Sequence, residues 1–243
     1  MLEDTALEVA VYFGFALPFV LLEKWRPISP LKLRRVLAGD LGAYLVVLLG
    51  GMLIALGWNA AYARWPIEAF FAKQPHLPNW AIGIVAVVLA DWTIYWLHRG
   101  LHTSLGWPAH RWHHSVPHMY WFSGVRASLI HSFIYGLPAL WLVVLHAPPS
   151  FYLGGLILTV LCNHFMHTNW SFRSRAFERV FITPRLHHIH HSNNPEHYGH
   201  NFGSLFSLWD RLHGTYLDPD SLSQPIQFGI PERVNAVRLV VGI

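Results

Sequence analysis

The sequence predicts an all-α integral membrane protein with four to five transmembrane helices, including a C-terminal helical hairpin, and a cytoplasmic helical cap that carries a histidine-rich site. Three observations predict this fold class. Hydrophobic residues make up 53% of the 243 residues and charged residues only 12%, whereas soluble domains carry roughly 25% charged residues. Residues 127–172 include no Asp, Glu, Lys or Arg. Of the 18 histidines, 16 fall between residues 98 and 200. We expect a single membrane-embedded domain over residues 1–243.

The first two apolar segments are separated by a basic loop. Val9 to Leu22 is a short candidate span that either crosses the membrane or lies along its surface, and Pro18 predicts a kink in it. Five Lys and Arg residues follow between residues 24 and 35. Leu41 to Ala63 is uncharged, and its length satisfies the requirement of about 20 apolar residues for a spanning helix.

The remaining spans follow a second loop. Residues 64–79 contain three prolines and His76, and we expect them to form a loop on the opposite side of the membrane. Trp80 to Leu97 then crosses back. The uncharged stretch 127–172 is interrupted by Pro148-Pro149, which predicts a helical hairpin with arms of about 20 residues each. A soluble bundle of buried helices is the alternative, but it does not need so long an uncharged stretch.

The distribution of Lys and Arg predicts the orientation. Positive residues are enriched in cytoplasmic loops. The basic 24–35 loop, the His-rich 98–126 segment and the C-terminal third therefore lie on the cytoplasmic side. The formal charge of +4 comes from these short patches rather than from one polar face, so we expect no nucleic-acid partner.

Four histidine motifs carry the functional signal. His98 and His102 are four residues apart and share one helical face. Two further motifs have the pattern HxxHH and each is preceded by a proline suited to a first helical turn: His110, His113 and His114 after Pro108, and His187, His190 and His191 after Pro184. The fourth motif, His164 and His167, lies at the cytoplasmic end of the second hairpin arm. Thr183 is a candidate N-cap of the second HxxHH helix.

The number of imidazoles predicts two metal ions. A single zinc ion needs at most four protein ligands, and eight or more histidines converge here. The chain has one Cys, so any metal must bind histidines or carboxylates. Imidazole suits Zn, Cu, Fe and Ni. A site at the mouth of a membrane bundle meets lipid tails, which offer mainly C–H bonds, and iron with O2 can oxidise such bonds whereas zinc cannot.

Eight further residues are candidates for additional ligands or for partners that orient the imidazoles. They are His131, His164, His200, Asp91, Asn163, Asn169, Asn201 and Asp210.

At these positions the sequence resembles the fatty acid hydroxylase and sterol desaturase superfamily of membrane di-iron oxygenases. The matching segments lie within residues 91–217: YWLHRGLH at 95–102, HRWHHS at 110–115, MHTNW at 166–170, TPRLHHIHHS at 183–192 and NFGSLFSLWDRLHGTY at 201–216. The resemblance implies two iron ions, O2 as co-substrate and a membrane lipid substrate. It also implies nine iron ligands: His98, His102, His110, His113, His114, His167, His187, His190 and His191. His188 falls where the family tolerates a residue that is not a ligand.

Two departures from the family pattern bear on the function. The segment 126–131 lacks the His-Pro-Leu-Glu string of many bacterial members, so the substrate subgroup is not assigned. No fused cytochrome b5-like domain is expected, so electrons come from a separate donor, which could be a cytochrome b5-like protein, a ferredoxin or a reductase. The predicted function is hydroxylation or desaturation of a lipid C–H position. The alternatives are a zinc-dependent membrane hydrolase and a non-catalytic metal-binding membrane protein.

Overall fold

A computed structural model describes residues 2–64 and 77–243 of the chain. The described residues are mostly helical, and the β-structure among them is limited to isolated bridges. Most of the loop predicted at residues 64–79, including His76, lies outside the described residues. The α-helices, numbered in chain order, are α1 Leu2–Gly14, α2 Ala16–Trp25, α3 Leu37–Arg64, α4 Asn79–Leu101, α5 Trp107–His114, α6 Leu129–Gly136, α7 Leu140–Val144, α8 Ser150–His167, α9 Arg175–Glu178, α10 Pro184–His190, α11 Leu208–Leu212 and α12 Ala236–Val241.

Three helical segments are long and apolar enough to cross a membrane. They are Thr5–Trp25, Leu37–Ala61 and Asn79–Leu101, with mean hydropathies of 1.9, 2.1 and 1.7. Only 17%, 17% and 22% of the respective apolar stretches are buried inside the protein, so most of each helix faces outward, as a lipid-exposed span does. These segments correspond to the first three predicted spans.

The first span is interrupted, although not at the proline itself. The break falls at Phe15, between α1 and α2, whereas Pro18 lies inside α2. A proline cannot donate to the carbonyl four residues earlier and its ring clashes with that carbonyl. The carbonyl affected by Pro18 belongs to Gly14, which is the last residue of α1. The kink therefore appears one turn before the proline that causes it.

The predicted hairpin is present, but its arms are shorter than 20 residues. The first arm is the apolar segment Leu129–Val144, and the second is α8, of 18 residues. At a rise of 1.5 Å per residue they measure about 24 and 27 Å, somewhat less than a hydrocarbon core of about 30 Å. The first arm begins late because the Ser128 hydroxyl caps it, accepting the backbone N–H of His131 at 3.0 Å. The second ends early because Trp170 leaves the helix and forms a β-bridge with Pro27.

The cap consists of short helices that follow α4 and α8. Helices α5 and α10 both have Pro in the first turn, as predicted. Thr183 occupies the N-cap position of α10 without a side-chain capping bond; its hydroxyl instead donates to Glu178 Oε1 at 3.2 Å. Helix α10 packs against α8, and α12 packs against α5. Helix α5 also packs against α4, so each HxxHH helix contacts one of the two long helices that carry the other histidines.

Candidate metal centre

Nine buried or nearly buried histidines converge in two adjacent groups. Within each group, one ring nitrogen from every histidine lies within 4.8 Å of the others. Group A has five histidines and group B has four. Group A consists of His98, His102, His110, His114 and His190, and group B of His113, His167, His187 and His191. The nine residues brought together are those that the family resemblance implies as ligands.

The two HxxHH motifs each contribute to both groups. On α5, His110 and His114 belong to group A, while His113 belongs to group B. The arrangement is reversed at α10 and its C-cap His191, where group B receives the pair of histidines four residues apart and group A receives the single one. The end of α4 and its C-cap His102 add a second pair to group A, and the last residue of α8 completes group B. The two groups therefore share the same two short helices.

Backbone carbonyls orient four of the imidazoles. The Nδ1 atoms of His98 and His190 lie 2.8 and 3.0 Å from the carbonyl oxygens of Phe202 and His200. In group B, His113 Nδ1 lies 3.2 Å from the Arg126 carbonyl oxygen, and His167 Nδ1 lies 2.8 Å from that of Asn163. A carbonyl can only accept, so each Nδ1 carries the proton. In a neutral ring the Nε2 lone pair is then free to bind a metal ion.

The Nε2 atoms face one another at distances that suit a shared cation. His113 and His167 both donate through Nδ1, so their neutral Nε2 atoms, 3.3 Å apart, have no proton to share. His187 Nε2 lies 3.1 Å from that of His167 and 3.0 Å from that of His191. At a metal–imidazole distance of about 2.1 Å, neighbouring ligand nitrogens are about 3.0 Å apart in octahedral and about 3.4 Å apart in tetrahedral geometry. A cation between these lone pairs accounts for their spacing.

Group A supplies a second indication. The Nε2 atoms of His102, His114 and His190 are buried and have no hydrogen-bond partner among residues 2–64 and 77–243. Buried polar groups are nearly always hydrogen-bonded, and three such atoms at one place are unusual unless another species binds them. The two groups thus fit metal ions through the orientation of their lone pairs as well as through the type of side chain.

Burial keeps the cap histidines neutral. It lowers the pKa of His113 to about 3, with a smaller contribution from the nearby ring of His98. The pKa values of His102, His114 and His190 are also lowered well below 6.5, again mainly by burial. Metal binding requires the unprotonated ring, so these ring nitrogens are available to a metal ion at neutral and mildly acidic pH.

The carboxylates and amides expected to orient imidazoles mainly contact the backbone instead. Asp91 accepts from the N–H groups of Leu205 and Phe206 at 2.8 and 3.0 Å. Asp210 accepts from those of Phe202 and Gly203 at 2.7 and 2.9 Å, and burial raises its pKa to about 6. Asp91 also accepts from the Trp209 indole N–H at 2.8 Å, and Asp210 from the Thr215 hydroxyl at 2.7 Å. The two carboxylates therefore hold the segment 202–206, whose Phe202 carbonyl orients His98. They act on the site through this loop rather than by direct contact.

The three amide candidates behave similarly. Asn201, with φ of 55°, donates to the carbonyls of Leu186 and Leu217 at 3.1 Å. Asn169 donates to the Ser29 carbonyl at 2.7 Å. Asn163 reaches an imidazole only through its backbone carbonyl. A direct bond from these side chains to a ligand histidine was our expectation, and the observed contacts differ from it.

The additional histidines lie at different distances from the two groups. His131 Nδ1 is 3.2 Å from His110 Nδ1, which places it beside group A. His200 contributes only its carbonyl, and its ring contacts the Thr215 carbonyl at 3.3 Å. His164 is turned away, with Nε2 at 2.8 Å from the Tyr12 carbonyl. His188 stands outside both groups and packs edge-on against Phe228.

Sequence reasoning missed the buried pair Asp40 and Arg126. Asp40 has no exposed surface; it accepts from Arg126 Nε and from the Tyr120 hydroxyl at 2.5 Å. Arg126 also donates to the carbonyl and hydroxyl of Ser115, both at 3.1 Å, and its own carbonyl orients His113. The only sequence signal for this pair is a charged residue at each edge of an apolar segment.

Glu23 was also missed. Its Oε1 accepts from the backbone N–H groups of Trp121 and Asn169 at 2.6 and 2.8 Å and from the Thr168 hydroxyl at 3.0 Å. Thr168 and Asn169 directly follow His167, so Glu23 fixes the end of the helix that supplies this group B histidine.

An elongated, mostly apolar cavity of about 870 Å³ leads to the two groups. Ser150 and His167, the first and last residues of α8, both line it, so it follows a helix of about 27 Å. Its inner end, which is the end next to groups A and B, is lined by His98, His113, His167 and His187. Apolar side chains from α3, α4, α7 and α8 form much of the wall, among them Val47, Leu48, Ile54, Val87, Leu142 and Leu156. The shape suits a hydrocarbon chain whose one end reaches the histidines.

The sequence matches the fatty acid hydroxylase family over residues 83–215, which is more than half of the chain. The chain belongs to this family. Three of its relatives are an ornithine lipid hydroxylase, OlsE, from Rhizobium tropici (28% identical over 190 residues), an alkylglycerol monooxygenase from Xenopus tropicalis (22% over 197 residues) and a lathosterol oxidase from Mus musculus (31% over 155 residues). No solved structure matches the chain.

The matches cover more of this chain than of the relatives. They include 73%, 81% and 59% of the present sequence, but 56%, 39% and 49% of the hydroxylase, the monooxygenase and the oxidase, respectively. The chain therefore spans about half or less of the length of these relatives. Together with the three apolar helices, family membership identifies the chain as an integral membrane protein.

Proposed function

We propose that the chain is an O2-dependent membrane oxygenase that uses two iron ions to hydroxylate or desaturate an unactivated C–H position of a lipid. The observation that carries this proposal is the pair of buried imidazole groups at the inner end of an apolar cavity. The names of three relatives support it, because they describe a lipid hydroxylase, a monooxygenase and an oxidase.

The nine histidines of groups A and B are the proposed iron ligands, five at one ion and four at the other. Imidazole is a suitable ligand for iron. When bound, the iron ions would supply the activation of O2 that attack on a C–H bond requires. Group B offers fewer protein ligands, and three of its four residues line the cavity. We therefore infer that the substrate approaches the centre mainly from the group B side.

The residues around the centre hold the substrate and the rings. The apolar wall binds the hydrocarbon chain and excludes water. The four backbone carbonyls described above keep the Nε2 atoms of the four imidazoles that they contact directed into their groups. Whether hydroxylation or desaturation results depends on which C–H bond the wall places next to the centre. No side chain needs to act as a nucleophile in this proposal.

The distribution of basic residues supports a cytoplasmic position for both groups. The Lys and Arg residues between 24 and 35 lie on the same side of the spans as the cap, and such residues are enriched on the cytoplasmic side. Electrons would then come from a separate cytoplasmic donor, for which we propose a small electron-transfer protein or reductase.

The test is the metal content and activity of the full chain purified in detergent from iron-replete cells. We expect close to two iron ions per chain, coupled in Mössbauer spectra, and O2- and reductant-dependent addition of one oxygen, or loss of two hydrogens, in a lipid extract analysed by mass spectrometry. Activity without O2 or reductant, together with zinc that iron cannot displace, would instead support a hydrolase. Bound metal without turnover of any lipid would support a binding protein.

A further inference from the structure

One part of the cavity wall is polar. Glu8 and Tyr12, one turn apart on α1, line the cavity together with Tyr44 of α3 and Asn163 of α8. We call these four residues the tyrosine patch. On α3 the patch is bounded by apolar cavity residues one turn further along the helix, Val47 and Leu48. Other polar side chains, such as Ser132 and Tyr135, line the wall on a different helix.

The patch lies next to group B. The ring centroids of Tyr12 and Tyr44 are 5.1 Å apart, and Asn163 Nδ2 donates to the Tyr12 hydroxyl at 3.4 Å. Asn163 in turn accepts from His167 Nδ1 through its carbonyl at 2.8 Å. Only two residues therefore separate Tyr44 from a proposed iron ligand.

The hydroxyl of Tyr44 has no partner within the described part of the chain, although the residue is only 7% exposed. Its ring packs against Phe13 and Phe122, with centroids 5.2 and 5.8 Å apart. A phenylalanine would satisfy these ring contacts without leaving a polar atom unpaired. Buried Tyr hydroxyls usually have a hydrogen-bond partner, and the cavity is where a partner from outside the chain can reach this one.

We propose that the tyrosine patch binds a hydroxyl group of the lipid substrate, with the Tyr44 hydroxyl as its hydrogen-bond partner. This inference rests on the proposed function, because it assigns the cavity to a lipid. It narrows the substrate class to lipids that carry a hydroxyl group and excludes bare hydrocarbons. The hydroxyl binds at the patch, and the apolar wall receives the hydrocarbon part of the molecule.

Binding of two matched probes to the full chain in nanodiscs tests the proposal without requiring turnover. The probes are radiolabelled 1-hexadecanol and hexadecane, which have equal chain lengths. Affinities are compared as the ratio between variant and unmodified protein for each probe, so that partitioning into the bilayer cancels. Tyr44→Phe removes only the unpaired hydroxyl. Leu45→Ala, at the adjacent and 60% exposed position, is the control.

We expect Tyr44→Phe to weaken hexadecanol binding by about 2- to 12-fold, the range for one hydrogen bond, and to leave hexadecane binding unchanged. Leu45→Ala should change neither. The melting temperature of Tyr44→Phe should not fall, because no bond within the protein is lost. A lower melting temperature would mean that the hydroxyl has a partner in the chain and would overturn the proposal.

Equal effects on both probes would also overturn it, since they would indicate a contact with the hydrocarbon chain. No effect on either probe would overturn it as well and would indicate a patch that holds only water. Tyr12→Phe provides a second variant, which should weaken hexadecanol binding in the same selective way. Failure of the proposed function is distinguishable from failure of this inference. It would appear as the absence of lipid oxidation by the unmodified protein, whatever the binding ratios of the two probes are.

Discussion

Replacing Asp40 with Asn should destabilise the protein and weaken metal binding at group B together. Asp40 is fully buried and accepts from Arg126 and Tyr120. The substitution removes the negative charge and leaves the Arg126 guanidinium, whose side chain is 12% exposed, without its counter-ion. Breaking one side of a buried ion pair costs about 3–5 kcal/mol. Several kcal/mol is a large fraction of the stability of a typical domain.

The effect should reach the metal site through one carbonyl. The Arg126 carbonyl accepts from His113 Nδ1. The Arg126 guanidinium also donates to the carbonyl of Ser115, which lies two residues after His113. Loss of the ion pair therefore loosens the contact with the His113 ring and both contacts with Ser115. Disturbing the partner of a metal-bound imidazole commonly costs 10- to 100-fold in metal affinity. We expect a loss of that size at the proposed group B ion, with a smaller loss at the proposed group A ion, since the two groups share α5 and α10.

Two measurements on the purified protein check this reasoning. Chemical denaturation in detergent micelles gives the change in free energy of unfolding, and iron titration against a competing chelator gives the affinity of each ion. Arg173→Gln is the matched control, because Arg173 also pairs with an aspartate, Asp220, at 3.0 Å but is 64% exposed. Exposed pairs contribute about 0–1 kcal/mol. A loss below 1 kcal/mol in Asp40→Asn, with both ions bound as before, would refute the role of the pair.

Three further predictions concern the histidines directly. His113→Ala should lose at least one metal ion per chain by elemental analysis, while His188→Ala, outside both groups, should keep both; equal metal content in the two variants would refute the grouping. Gly124→Ala should lower the metal content as well, because the added Cβ would lie 2.7 Å from His167 Nδ1. Gly136→Ala is the control and should keep the metal, since its added Cβ would have nothing within 4 Å. Retained metal in Gly124→Ala would contradict the close packing around His167. Burial lowers the pKa of His113 to about 3, so this ring is neutral when folded and becomes protonated on unfolding below pH 6.5. The contribution of this ring to the stability of metal-free protein should thus be fully present above pH 6.5 and fall on acidification. The loss should reach about 1.4 kcal/mol per pH unit for each such ring. Identical melting curves at pH 7.5 and 5.5 would contradict this.

The sequence predicted features that depend on local periodicity. Leu41 to Ala63 forms a membrane-length helix because an uncharged stretch of that length has few other stable arrangements in a bilayer. Pro108 and Pro184 mark the first turns of the cap helices because proline is suited to that position. The same local spacing placed the histidines of each HxxHH motif on one helical face, and the family resemblance then implied the full set of nine.

Long-range pairings were not predictable in this way. Nothing in the spacing of α5 indicates that His113 joins a different group from His110 and His114, since that division depends on where α8 and α10 pack. Asp91 and Asp210 were recognised as unusual, but most of their partners are backbone N–H groups of residues 202–206, and the others are the Trp209 indole and the Thr215 hydroxyl. Backbone donors leave no trace in the residue types of a sequence, so imidazole partners were expected instead.

The division of each HxxHH motif between two groups has a consequence for how the cap is stabilised. Helices α5 and α10 have eight and seven residues, and isolated helices of this length are marginal in water. Each of them would be attached to both ions, so releasing either ion would loosen both helices and weaken the ligands of the other. Metal binding and cap folding are then expected to be cooperative. The five histidines of group A alone could not hold α10 in place, because only one of them belongs to that helix, and it is the group B ion that would attach α10 to α8.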